Sequence, residues 1–422
     1  MPPRRSPATP LTWGLLAAFG VILLLAGAAA FWNALAGWLT PEPAATRTPV
    51  PRVVPTGTRS PFEYPTLAPT NTLSPDLIPV TPSPVPTLAY LFQQGFPPYI
   101  NPITGMMAAD LSPLERRPIA VKISNFPRYV RGWQSGLSLA DNVYEYYTED
   151  LETRFIAVFY GTDASRVGPV RSARFFDEHI TRMYHAYLVY SGADDRIDDY
   201  LAATDLKDFR LIPNEYDCPP LCWDNDIADY NNYFLDTSKV SAYLEWAHKD
   251  NTRQPLSGMV FTTTAPFTTN SAGRIFVRNS YRAYNYWQYD AATQKYLRFQ
   301  ETVDNHEGVE PAYTAHIDNL TGKQITADNL VVLLVRYIHN PQSTGQMYVV
   351  DLYNSGQAFI FRDGRVYEAR WVRTAFDALL SFTDPGGNPL PLKTGVTWFQ
   401  VIGLGSAYSN DGGDWFFDFQ MP

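Results

Sequence analysis

Cysteine is nearly absent: Cys218 and Cys222 are the only two in 422 residues. That count excludes a disulfide framework and a multi-cysteine zinc or iron–sulfur centre. Charge is also sparse, at 18% Asp, Glu, Lys and Arg against roughly 25% in average soluble domains. What charge there is leans acidic, with 33 Lys plus Arg against 42 Asp plus Glu and a net of −9. A nucleic-acid partner, which needs a basic face, is therefore not expected. The His-Glu-x-x-His pair, the Gly-x-Ser-x-Gly elbow and the Gly-rich phosphate loop are all missing, and with them the usual signatures of metalloproteases, α/β-hydrolases and P-loop enzymes. Neither a metal nor a cofactor is expected. Aromatics at 14% argue against disorder along the whole chain.

Composition divides the chain into regions. Residues 1–90 hold 17 of the 35 prolines, five arginines and three acids (Glu42, Glu63, Asp76). Removing them leaves 28 basic and 39 acidic residues in 91–422, so the remainder carries a net of −11. Arg4 and Arg5 precede an apolar run from Leu11 to Leu39, interrupted only by Thr12 and Asn33. As a helix this run extends ~42 Å, more than enough to span a bilayer. Trp13, Trp32 and Trp38 lie towards its ends, where indoles favour the interface, and the positive flank favours a cytoplasmic N-terminus. Residues 1–40 thus read as a cytoplasmic tip and a single-pass signal anchor, placing the rest on the extracytoplasmic side of the cell membrane. A cleaved signal peptide is the competing reading, since Ala28-Ala29-Ala30 suits cleavage. Residues 41–98 read as a linker: 41–86 alone hold 13 prolines and eight threonines, a composition that cannot bury enough surface to fold and favours extended polyproline II.

Residues 99–255 carry the signals of an α/β (α+β) domain with a mixed sheet. Ile119, Val121 and Ile123 alternate with Ala120, Lys122 and Ser124, the period of a strand. Val143–Thr148 and Arg154–Tyr160 read as neighbouring strands. Gly168-Pro169-Val170-Arg171-Ser172-Ala173-Arg174 is followed by Phe176, Ile180, Met183 and Tyr187 at helical spacing, then by a short strand at Leu188–Tyr190. Strand, loop, helix and strand make a βαβ unit. Residues 256–407 form short apolar alternations with turn residues between them, including Asp363-Gly364, and predict a mainly β domain. The tail 408–422 is rich in Asp, Gly and Phe and has no evident role.

An ordered series of short motifs resembles the YerB-like family of bacterial lipoproteins. The series runs through Asn101-Pro102-Ile103-Thr104-Gly105, Arg117-Pro118-Ile119-Ala120-Val121, Gln134-Ser135-Gly136-Leu137-Ser138, Thr153-Arg154-Phe155 and the Gly168–Arg174 loop. It continues in the second half with Asp328-Asn329, Phe361-Arg362-Asp363-Gly364, Trp371 and Gly395-Val396-Thr397-Trp398. The resemblance implies paired N-terminal and C-terminal domains of unknown function and an extracytoplasmic location; it implies no mechanism. Two departures matter. Many relatives carry a lipid-anchoring cysteine where this chain has its apolar run, and a His-Asn pair of the family is replaced here by Asn231-Asn232.

The strongest polar constellation is Arg154, Arg171, Ser172 and Arg174 with Asp141, Glu145 and Glu149. A helix beginning near Ser172 would aim its free N–H groups at this loop, and guanidinium forks there suit a carboxylate or phosphate ligand. The competing expectation is internal pairing of the arginines with Asp141 and Glu145, or of Arg174 with Glu178 one helical turn on. Asp194, Asp195, Asp198 and Asp199 read as a solvated helix face, and Asp224, Asp226 and Asp229 lack the remaining ligands of a calcium loop. Cys218 and Cys222, in an oxidising compartment, read as a short disulfide loop rather than a metal pair. Trp287, Trp371 and Trp398 sit at strand spacing and read as core. Two functions compete. One is a non-catalytic surface protein, held to the membrane by its N-terminal helix, that binds a wall glycan, an anionic polymer or an envelope protein. The other is an envelope hydrolase or transferase using Glu145 or Asp141 as acid/base beside the arginines.

Overall fold

Alternating apolar residues broken by Gly, Pro, Asn and Asp give strands, and strands dominate the described residues. The computed structural model describes residues 96–214, 218–340 and 347–420. The apolar run 11–39 and nearly all of the linker lie outside them. Among the described residues no helix is long and apolar enough to cross a membrane.

The first half supplies β1 (Ile119–Ser124), β2 (Asn142–Tyr147), β3 (Thr153–Phe159), β4 (Tyr187–Val189), β5 (Arg210–Leu211), β6 (Leu221–Trp223) and β7 (Tyr233–Leu235). Its α-helices are short: α1 (Asp177–Met183), α2 (Asp195–Ala203) and α3 (Val240–Trp246). The second half opens with β8 (Arg274–Arg278), β9 (Tyr284–Asp290), β10 (Lys295–Glu301), β11 (Tyr313–Ala315), β12 (Thr326–Ala327) and β13 (Asn329–His339). It continues with β14 (Tyr348–Asp351), β15 (Asn354–Arg362), β16 (Arg365–Arg373), β17 (Ser381–Thr383) and β18 (Thr397–Gly403). The tail adds β19 (Ala407–Asp411) and β20 (Asp414–Asp418).

An eleven-stranded mixed sheet runs β17-β16-β15-β13-β18-β2-β3-β1-β4-β5, with β14 on β13. The seam between the halves lies inside it, where β18 pairs in parallel with β2. The two halves thus share one sheet. A second sheet runs β11-β10-β9-β8-β20-β19, with β12 on β10. The tail therefore has a structural part: β20 pairs in parallel with β8 and buries Trp415, Phe417 and Phe419. β6 and β7 form a separate hairpin beside the Cys218–Cys222 disulfide.

The expected βαβ unit differs from the one formed. β4 is parallel to β1, not to β3, and β3 lies antiparallel on the other side of β1. The crossover through α1 therefore joins β1 to β4, with the β2–β3 hairpin inserted before it. The helix is also shorter than its apolar spacing suggests, because Ser172–Phe175 stay non-helical and His185 takes φ 48° just past its end. The first half is a mixed sheet carrying short helices. In the second half Asp363 and Gly364, with φ of 54° and 68°, make the tight turn between β15 and β16 that an Asp-Gly pair favours. Near the start of the second half the chain makes only a single bridge, from Phe261 to Leu392.

Candidate functional site

Strand alternation sorts the polar residues to two sides of the large sheet. Tyr146 stands opposite Arg154 and Glu145 opposite Phe155, so Arg154 and Glu145 project to opposite faces.

On one face the loop after β3 is laced into the sheet. The Val170 N–H donates to the Tyr233 carbonyl at 2.8 Å and the Arg171 N–H to the Lys122 carbonyl at 2.9 Å. Gly168 permits this path, since a Cβ there would lie 2.8 Å from the Phe234 ring and 2.9 Å from the Tyr233 carbonyl oxygen. Arg154, Arg171, Ser172 and Arg174 are brought together as a result. Arg154 donates to the Ser172 carbonyl at 3.0 Å and to Glu149 at 3.3 Å. Arg174 grips the same Glu149 with a two-pronged contact, its Nε at 2.7 Å from Oε2. Arg171 differs from both. It makes no ion pair among the described residues, its buried Nε has no partner, and its guanidinium lies 4.5 Å from the Tyr230 ring centroid. Two of the three guanidinium groups thus share one carboxylate, and the third has no ion pair among the described residues.

Beneath them is a group that sequence inspection did not single out. Lys122, fully buried on β1, donates to Asp177 Oδ1 at 3.0 Å and to the Tyr146 hydroxyl, which itself donates to Asp177 at 2.7 Å. Burial pulls the Lys122 pKa down to about 7, with Asp177 opposing and Arg154 and Arg174 adding to the fall. Burial lowers the pKa of the three arginines as well. The available signal was a lysine at the centre of a strand apolar on its other face. Asp177 also accepts the Arg174 backbone N–H at 2.8 Å, so the start of α1 is already occupied by its own acid. The helix N-terminus expected at Ser172 does not exist.

Glu145 and Asp141 lie away from the arginine loop. Glu145, between the two sheets, accepts from Arg298 at 2.8 Å, Gln400 at 3.0 Å and Thr153 at 3.0 Å. Arg298 in turn donates to His316 Nδ1 at 2.5 Å and is enclosed by Phe155, Trp287 and Trp398 at 5.4, 5.8 and 5.0 Å. Asp141 accepts the Tyr160 and Gly161 N–H groups at 2.6 and 2.9 Å and the Asn101 amide at 2.8 Å, tying down the turn after β3. Both carboxylates are buried and committed, so neither stands beside the arginines as an acid or base. The expected Arg174–Glu178 pair is replaced by Arg182–Glu178 at 2.7 Å. Of the acidic runs, Asp194 caps α2 and pairs with Arg196, Asp198 pairs with Arg210, and Asp224 pairs with Arg166. Trp287, Trp371 and Trp398 are core.

Two family models match the chain: the N-terminal domain of a protein of unknown function (DUF3048) over residues 103–250 and its C-terminal domain over 275–399. The Bacillus subtilis (strain 168) protein named "Putative lipoprotein YerB" is 25% identical over 312 residues, covering 71% of this chain and 85% of that protein. The crystal structure of YerB protein from Bacillus subtilis superposes with a TM-score of 0.58 at 24% identity, across 72% of this chain and 96% of that one, which shows a shared fold. With both domain models matched in order and one similar relative aligned across most of its length, the chain belongs to the YerB-like family.

Proposed function

We propose that this protein is held at the outer side of the cell membrane and binds an anionic group of an envelope component through the Arg154–Arg171–Arg174 face, without catalysis. The location rests on the apolar run 11–39 and the Pro/Thr linker, and on the lipoprotein name of the Bacillus subtilis relative. The Cys218–Cys222 disulfide is in keeping with an oxidising compartment. One observation carries the binding reading: Arg171 makes no ion pair among the described residues and lies near Arg154, whose charge opposes its own. Such a locally positive patch on an acidic molecule attracts phosphate or carboxylate, and a guanidinium fork matches either in two-pronged fashion. The enzyme alternative loses its proposed acid/base pair, because Glu145 and Asp141 hold buried partners elsewhere.

The test uses the full chain in detergent and poly(glycerol phosphate) as the probe, by titration calorimetry at low and raised salt. Binding should weaken with salt, as charge pairing at a surface does. Arg171→Ala should abolish it while the melting temperature stays near that of the parent, because no carboxylate is left stranded. Undiminished binding by Arg171→Ala, or a collapse of its melting temperature, overturns the reading.

A further inference from the structure

Away from the arginines, a cavity of about 620 Å³ opens between the α1–α2 region and the β13–β14 edge, within the ~300–1,000 Å³ usual for small-molecule sites. Phe175, Tyr200, Tyr353 and Phe376 line it. Tyr200 and Phe376 are 41% and 60% exposed, so large aromatic surface faces the opening. Phe376 packs on Tyr353 at 4.7 Å between centroids, and Phe175 meets Tyr200 edge-on at 5.4 Å.

The charges around the cavity narrow the ligand class. Glu178 lines it, held by Arg182 at 2.7 Å and by the Tyr200 hydroxyl at 2.5 Å. Asp351 also lines it and makes no ion pair among the described residues. An anion would meet both carboxylates. A cation would meet Arg196 on the wall, and Arg182, whose guanidinium lies 5.5 Å from the Phe376 centroid. Behind the wall, buried Arg373 makes no ion pair among the described residues; it donates to His179 Nδ1 at 2.8 Å and sits 4.6 Å from the Tyr353 centroid. His179 is fixed as the neutral tautomer that accepts from Arg373 and donates from Nε2 to the Val350 carbonyl at 2.8 Å. Glu178 and Arg196 are already neutralised by Arg182 and Asp194, so neither recruits an ionic ligand, and Asp351 remains on the wall as a hydrogen-bond acceptor. A ligand with an apolar face and a rim of hydrogen-bond donors fits this lining.

We propose that this cavity binds a neutral saccharide, with the Phe376 and Tyr200 rings packing against the C–H faces of the sugar and Asp351 accepting from its hydroxyl groups. Aromatic rings supply large, rigid apolar contact, and a few placed polar groups orient the ligand. This site is separate from Arg171 and stands or falls without it.

The probes are neutral tetrasaccharides, β-1,4-linked N-acetylglucosamine and maltotetraose, titrated into the full chain in detergent at millimolar concentration. Saturable binding of one of them is expected. Phe376→Ala, at an exposed position, should weaken it at least tenfold without moving the melting temperature, and Asp351→Asn should weaken it as well. Arg171→Ala should leave it unchanged, which separates failure here from failure of the anion-binding reading. Absence of binding to both probes, or binding indifferent to Phe376→Ala and Tyr200→Ala alike, overturns the proposal. So does a cavity that takes up a neutral peptide and neither sugar.

Discussion

Arg298 and Arg171 carry the same guanidinium group into opposite circumstances. Arg298 is 1% exposed and tied to Glu145; removing the acid leaves a buried charge without its partner. Glu145→Ala should therefore cost ~3–5 kcal/mol, read as a lower urea midpoint, and an unchanged midpoint would show that the network contributes little. Arg171→Ala removes a cation–aromatic contact worth ~0.5–1 kcal/mol. The imidazole of His316, joined to Arg298, is held neutral: burial and the adjacent guanidinium push its pKa well below the usual value. His179 is likewise lowered, to about 4. Below pH 6.5 the unfolded chain protonates these histidines while the folded chain does not, so their contribution to stability is lost as pH falls. Asp141, raised to about 6 by burial, and Glu301, raised likewise, act with the opposite sign. The clean readout is thus a difference: on acidification from about pH 7 to about pH 4.5 the melting temperature of His316→Gln should fall less than that of the parent. An equal or steeper fall would refute the neutral assignment.

β19 and β20 show an element whose role was hidden in a short segment. Trp415, Phe417 and Phe419 alternate behind Gly412-Gly413, a hairpin signal, but Phe416 lies between them and blurs the apolar period. In the fold Phe416 stacks on Phe276 at 4.9 Å on the outer face, while Phe417 turns inward to within 5.3 Å of Phe359. A chain ending at Gly405 would lose three buried aromatics, each worth ~1.5–3 kcal/mol of burial, and would bare the edge of β8 to other chains. That truncation should aggregate or melt far below the parent; a soluble product with the parental melting temperature would show the tail to be dispensable. β1 fails to announce its surroundings for a related reason. Its alternation marks a strand, yet both of its faces are buried, and Lys122 survives there only because Asp177 and Tyr146 arrive from α1 and β2.

For the whole molecule, topology is the open property with the most direct test. Protease added to intact spheroplasts should cut the proline-rich linker and release a fragment of roughly 330 residues, since such segments stay accessible. A chain protected until the membrane is lysed would contradict the proposed location. Alkylation of the native protein should leave Cys218 and Cys222 unmodified until a reductant is added, because the two sulfurs are bonded. The sequence by itself determined the composition boundaries, most of the strands, the Asp363-Gly364 turn and the family, because strand period, turn chemistry and motif order are local properties. It also marked Arg154, Arg171 and Arg174 as a group, since they cluster around one loop and the strand before it. Only the tertiary structure decided which acid meets which arginine: a one-residue step from Tyr146 to Glu145 crosses the sheet, so Glu149 joins the arginines while Glu145 joins Arg298 from the other half. It alone joined the halves through β18 and β2 and left Arg171 with no ion pair among the described residues, because pairings across 153 or 255 residues of chain, as from Glu145 to Arg298 and Gln400, are set by sheet order and leave no periodic trace in either segment.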